Sequence, residues 1–275
     1  MGGNVTVLRR RVPQSVREVL LITVFWCAYT AGCLAVGGRV GTAFHNARSI
    51  WQFERALNLP SETAIQFVLT THMWMIRGAN LYYALVHFVA TGVLLLWLYR
   101  TRPAHYRWAR RVLGSLTGIA LFMYLLFPLA PPRMLAGTGL VDAGAHFGPG
   151  VYSTTPATDH FENQYAAMPS VHVGWATFVA VAIIVAGRSR WRWLWLVHPV
   201  VTAVVVVGTA NHYVMDAVVA WALLLGLLLV FRPPAGHENV RRVSIPRPAM
   251  EGDPCPPTAA AASRPSSATL STFPD

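Results

Sequence analysis

Six apolar runs, each close to the ~20 residues that cross a hydrocarbon core as an α-helix, recur at about 18–37, 80–99, 109–128, 170–187, 192–210 and 213–231. A chain with that pattern cannot hide its apolar surface in one small water-soluble core. Of its 275 residues 54% are apolar and 12% charged, against about 25% charged in a soluble domain. The sequence therefore predicts an all-α, polytopic membrane protein with a six-helix bundle over 18–232, preceded by a cytoplasmic segment, 1–17. The mixed stretches 44–58 and 62–77, where Arg48, Glu54, Arg55 and Glu62 interrupt apolar residues, predict amphipathic helices lying at the interface between the first two spans. Pro60-Ser61 separates them, with Ser61 as an N-cap.

The formal charge is +11, and all 22 cations are Arg. A basic balance can signal nucleic acid, but here the arginines cluster between apolar runs, so topology explains them and no nucleic-acid partner is expected. Seventeen fall on one side of the spans, in the clusters 9–17, 100–111, 188–192 and 232–264. Five fall on the other: Arg39, Arg48, Arg55, Arg77 and Arg133. The positive-inside bias then puts both termini in the cytoplasm, and the long loop 129–169 and the junction near 211–212 outside. The absence of Lys, with abundant Ala, Gly and Pro, points to a GC-rich bacterial genome and hence a bacterial cell membrane. Cys27, Cys33 and Cys255 have neither disulfide nor zinc spacing. The Arg-led first run predicts a retained span rather than a cleaved signal peptide. From Pro233 to Asp275 the composition turns to Pro, Ala, Ser and Thr without periodicity, which predicts a disordered cytoplasmic tail.

Polar groups at membrane depth are functional candidates by default. Three places carry them. Met168-Pro169-Ser170-Val171-His172 opens one span, and the free N–H groups of a helix start suit an anion such as phosphate; the plainer alternative is an N-cap beside an interfacial His. Asn211-His212-Tyr213-Val214-Met215-Asp216 opens the last span. Its i, i+4 spacing lets Asp216 bind one ring nitrogen of His212 and leave the other free as base or nucleophile, although a purely structural pair would look the same. Arg133 follows the proline-rich end of the third span, where its planar fork suits phosphate oxygens and equally suits an interfacial anchor. Alternating span directions bring Ser170, His172, His212 and Asp216 to one side of the bilayer.

These residues, in this order and in a six-span layout, resemble the type 2 phosphatidic acid phosphatase superfamily. The Met-Pro-Ser-x-His and His-Tyr-x-x-Asp forms, with Asn80 to His87 and Glu54 upstream, resemble its branch of inositol phosphorylceramide synthases and their bacterial relatives. The likeness covers roughly 40–231. It implies that His212 takes a phosphoryl or phosphodiester group as phosphohistidine, that Asp216 orients it, and that His172 protonates the leaving oxygen and then activates the acceptor. Ser170 and Arg133 would hold the nonbridging oxygens, and Tyr83 with His87 would line the acceptor pocket or merely bond to each other. No metal or other cofactor is implied. The partner is a lipid phosphate or phosphodiester within the membrane. Two of the family's cations are replaced, by Leu126 seven residues before Arg133 and by Val206 six before His212. Met134 stands where Pro usually follows the Arg. A site with fewer cations suits a phosphodiester monoanion better than a monoester dianion, which favours head-group transfer, such as that of inositol phosphate, unless Arg39 or Arg77 substitutes. An intramembrane serine protease using Ser170, a metal site and a non-enzymatic transporter or scaffold are the competing expectations.

Overall fold

The computed structural model describes Leu20, Thr23, Val24, Cys27, Thr30, 39–148 and 164–234. The first expected span, apart from those five residues, and the expected tail from residue 235 onward lie outside the described residues. Among the described residues the structure is helical, with one isolated bridge between Leu129 and Ala166 and no strand.

The α-helices are α1 (Val40–Ala56), α2 (Glu62–Thr70), α3 (Met73–Thr101), α4 (Pro103–Leu126), α5 (Ala143–Phe147), α6 (Val171–Ala186), α7 (Val197–Gly208) and α8 (Val214–Val230). Short 3-10 turns at Pro132–Met134 and Arg190–Leu196 precede Leu135 and α7. Three helical stretches are long and apolar enough to cross a membrane: α3, α4 and the stretch Arg190–Gly208 that ends in α7. Helices α6 and α8 are apolar but shorter.

The sequence-predicted boundaries shift in one informative place. The second interfacial helix, expected to reach residue 77, stops at Thr70, and the span expected from residue 80 begins at Met73. His72, extended at φ −131°, ψ 131°, makes the break. Composition alone is continuous there, because the first turns of α3 are as mixed as α2. Ser61 does sit at the N-cap of α2, but its hydroxyl bonds Thr63 rather than the helix backbone.

Helices α3, α4, α6 and α8 pack around Leu98, Val112, Leu116, Phe178 and Leu224. Small residues permit the close approach. A Cβ on Gly174 would stand 2.9 Å from Leu116 Cδ2, and one on Gly208 would stand 2.4 Å from Leu69 Cδ1, the small-residue packing expected where lipid rather than water surrounds the helices. Phe88, Val89, Val93, Leu225 and Leu229 are exposed, whereas Glu54, Glu62, Asn80, His87, Ser170 and Asp216 are buried. That arrangement inverts the water-soluble norm.

The turn after α7 sets where α8 begins. Ala210 has φ +58°. Its N–H donates to Val207 O, and Asn211 N–H donates to Val206 O, the paired bonds of a Schellman ending that usually has Gly at this position. A left-handed Ala costs on the order of 1 kcal/mol relative to Gly. Ala210→Gly is therefore expected to raise the thermal midpoint of the detergent-solubilised protein by a few degrees; no rise would mean that the Ala methyl makes compensating contacts.

A candidate active site at one end of the bundle

Ser170 caps α6, its Oγ accepting Val173 N–H at 3.5 Å, while its own N–H donates to Asp216 O at 3.1 Å. The start of α6 is thus tied to the first turn of α8. Tyr124 of α4 donates its hydroxyl to Pro169 O at 2.7 Å, across the cis Met168–Pro169 bond. His172, on the first turn of α6, is therefore held from two helices.

His212 is the best-defined group. Its Nδ1 lies 2.8 Å from Ala167 O and 3.1 Å from Asp216 Oδ2. A backbone carbonyl can only accept, so Nδ1 carries a hydrogen, and in the neutral imidazole the lone pair is on Nε2. Asp216 Oδ2 also accepts Tyr213 N–H at 2.9 Å, and Tyr213 donates its hydroxyl to Ala130 O at 3.0 Å. The His212 and His172 ring centroids are 5.7 Å apart. Tyr83 stacks on His172 at 4.3 Å with the planes 18° apart, and His87 lies against the same ring at 4.0 Å. Four of the expected residues, His212, His172, Tyr83 and His87, therefore form one cluster of rings, with Asp216 and Ser170 directly behind it.

Arg133 joins through the turn between α7 and α8. Its backbone N–H donates to Ala210 O at 3.0 Å, its Nη1 donates to Asn211 Oδ1, and Asn211 Nδ2 donates to Thr209 Oγ1 at 2.8 Å. Arg133 Nε pairs with Asp142 Oδ2 at 3.3 Å; the arginine side chain is 2% exposed and the aspartate 39%. Asp142 is also the N-cap of α5, accepting Ala145 N–H at 2.9 Å. Asp142 and the Ala167 carbonyl are not legible as site groups in the sequence, and Asn211, though part of the motif that opens the last span, carries no sign of its bond to Arg133. Asp142 is a common loop residue and the carbonyl is main chain, so only spatial proximity distinguishes them. The arginines considered as substitute cations bind carbonyls: Arg39 Nη1 donates to Leu125 O at 2.6 Å and Arg77 Nε to Phe147 O at 3.1 Å. No metal-holding group of three His, Cys, Asp or Glu side chains occurs among the described residues.

A helical bundle with an apolar outer face and a buried cluster of imidazoles, carboxylate and guanidinium at one end is a membrane-type protein with the makings of an acid–base or nucleophilic site. A profile of the PAP2 superfamily matches residues 48–230, and the chain belongs to that family. Membership places it among phosphatase-type lipid phosphoesterases, membrane proteins whose substrates are lipid phosphates. No curated protein and no solved structure matches it.

Proposed function

We propose that the protein cleaves a lipid phosphate ester or phosphodiester through a phosphohistidine on His212, without a metal, at the extracytoplasmic face of a six-span bundle in a bacterial membrane. The observation that carries this reading is the double acceptor at His212 Nδ1, because it fixes the hydrogen of the neutral imidazole on Nδ1 and leaves Nε2, aimed away from both acceptors, as the nitrogen with the lone pair. In the first step the Nε2 lone pair forms a bond to phosphorus and the bond to the lipid leaving oxygen breaks. His172 gives that oxygen its proton. In the second step a hydroxyl acceptor attacks phosphorus, its proton passes to His172, and the phosphorus–nitrogen bond breaks. The N–H groups at the start of α6, with Ser170 and Arg133, hold the nonbridging oxygens. Tyr83 and His87 flank the acceptor. Arginine asymmetry supports the outward orientation, and α3 supports the depth. Its 29 residues span ~43 Å at 1.5 Å per residue, more than a ~30 Å hydrocarbon core, so its first turns can stand at head-group level just above Tyr83.

The charge of the site favours a phosphodiester and head-group transfer. Leu126 and Val206 replace two family cations, and Asp142 offsets part of the charge of Arg133. Asp142→Asn keeps a good N-cap for α5 and removes that offset. It is expected to raise kcat/KM for a phosphate monoester severalfold relative to the matching diester, because a dianion gains more than a monoanion from an added positive charge. An unchanged ratio would show that Arg133 does not set this preference.

The direct test is incubation of purified protein with labelled lipid phosphates and phosphodiesters, with and without inositol, followed by mapping of bound label. Acid-labile label on His212 supports the proposal. Label on Ser170, or activity lost to chelators and restored by a metal, overturns it.

A further inference from the structure

Behind the site, outside the spanning helices, two interacting glutamates are buried, each with one carboxylate oxygen left without a partner. Glu54 of α1 and Glu62 of α2 are both fully buried. Glu54 Oε1 accepts Met215 N–H, in the first turn of α8, at 2.6 Å. Glu62 Oε2 pairs with Arg55 Nη2 at 2.6 Å. The remaining oxygens, Glu54 Oε2 and Glu62 Oε1, are buried and no N–H or O–H of another residue reaches them. Two ionised carboxylates cannot hold this arrangement, because each would present a desolvated lone pair to the other.

We infer that Glu54 and Glu62 share a single proton, donated by Glu54 Oε2 to Glu62 Oε1, and that the acid pair is a positioning device that fixes the first turn of α8 and through it Asp216 and His212. The inference rests on the role proposed for His212. With that proton in place every polar atom of the pair is satisfied. Glu54 is neutral, its carbonyl oxygen receives Met215 N–H, and Glu62 remains the partner of Arg55. Met215 directly precedes Asp216, so the bond at Met215 N–H acts one residue from the carboxylate that holds His212. Burial, and the facing Glu62, push the Glu54 carboxyl up to about 9. The groups that face Glu54 are Glu62 from α2 and Asp216 and Tyr213 from the start of α8, while Arg55, from its own helix, reaches the pair through Glu62. Loss of the proton would place a second negative charge beside Asp216.

The test compares Glu54→Gln with Glu54→Leu in the full chain. A glutamine amide donates to Glu62 and accepts Met215 N–H, as the protonated acid does, but cannot titrate. Glu54→Gln is expected to keep kcat within about threefold of wild type at pH 7 and to lack the wild-type decline near pH 9. Glu54→Leu, which has no acceptor for Met215 N–H, is expected to lose tenfold or more in kcat with KM little changed. The sign for stability follows from a carboxyl that holds its proton more tightly folded than unfolded. The wild-type thermal midpoint falls as pH rises from about 4.5 towards 9, and that of Glu54→Gln is flatter. An infrared carbonyl band from a protonated carboxyl, present in wild type at pH 7 and absent in Glu54→Gln, reads the shared proton without any turnover. Glu54→Gln as impaired as Glu54→Leu, an unaltered alkaline limb, or no such band would overturn the inference. Presence of the band in a protein that never labels His212 would instead refute the role proposed for that histidine and leave the shared proton standing.

Discussion

His212→Asn is expected to lower turnover by about 10⁴-fold or more and to abolish acid-labile labelling, with little loss of thermal stability. The magnitude is that of removing a nucleophile, for which neighbouring groups cannot substitute. Asparagine is the informative replacement. Its side-chain amide can take the place of Nδ1–H and still donate to Ala167 O and Asp216 Oδ2, so the buried acceptors keep a partner, but it has nothing at the position of Nε2. Alanine would remove the same nitrogen and also leave the Asp216 carboxylate, which is fully buried, with only the Tyr213 N–H, at a cost of about 1–3 kcal/mol or more for a charged group. Comparing the two variants separates chemistry from folding. If the asparagine variant turned over within tenfold of wild type, His212 would be a structural ligand of the α8 start and the phosphohistidine route would be wrong.

His172→Gln is expected to lose about 10² to 10⁴ in kcat on natural lipid substrates, the range of general acid–base catalysis. The loss shrinks sharply on an ester with an aryl leaving group, which departs without needing a proton. That contrast distinguishes a proton donor from a ring that only packs, since removal of a stacking partner of Tyr83 would slow both substrates alike. The wild-type profile of kcat/KM against pH is expected to have two limbs, and the variant to lose the one belonging to His172. Equal losses on both esters would move His172 from acid to scaffold.

The sequence made the partners of this site legible where they come as side chains at helical spacing. His212 and Asp216 are i, i+4, and the structure joins them at 3.1 Å. The stretch Met168 to His172 does open a helix, at Val171, with Ser170 as its N-cap, although Pro169 precedes the cap instead of standing in the first turn. The meeting of His172 with His212 followed from counting span directions, and the rings are in contact distance of Tyr83 and of each other. What escaped were partners with no signature. The Ala167 carbonyl, which decides the tautomer of His212, is main chain. Asp142 reads as a loop residue and a cap, and only the folded loop brings it to Arg133. Glu54 and Glu62 read as the polar face of interfacial helices, yet both are buried, because α1 and α2 turn those carboxyls towards α8 and each other rather than towards water. Helix ends were placed within a few residues except at the start of α4, expected at 109 and found at Pro103, and at the α2–α3 junction, where one extended residue, His72, breaks a run of otherwise uniform composition.

One short turn holds both ends of the proposed phosphate grip. Arg133 is bonded through its main chain to Ala210 and through its guanidinium to Asn211, and the next residue is His212. Guanidinium and imidazole therefore share a single anchor instead of hanging from separate helices. When a thicker or thinner bilayer tilts the long helices to match its width, that anchor carries both groups together. The gap between guanidinium and imidazole, where the proposed mechanism seats phosphorus, is then set locally, and the site is expected to keep its dimensions as the lipid composition around it changes.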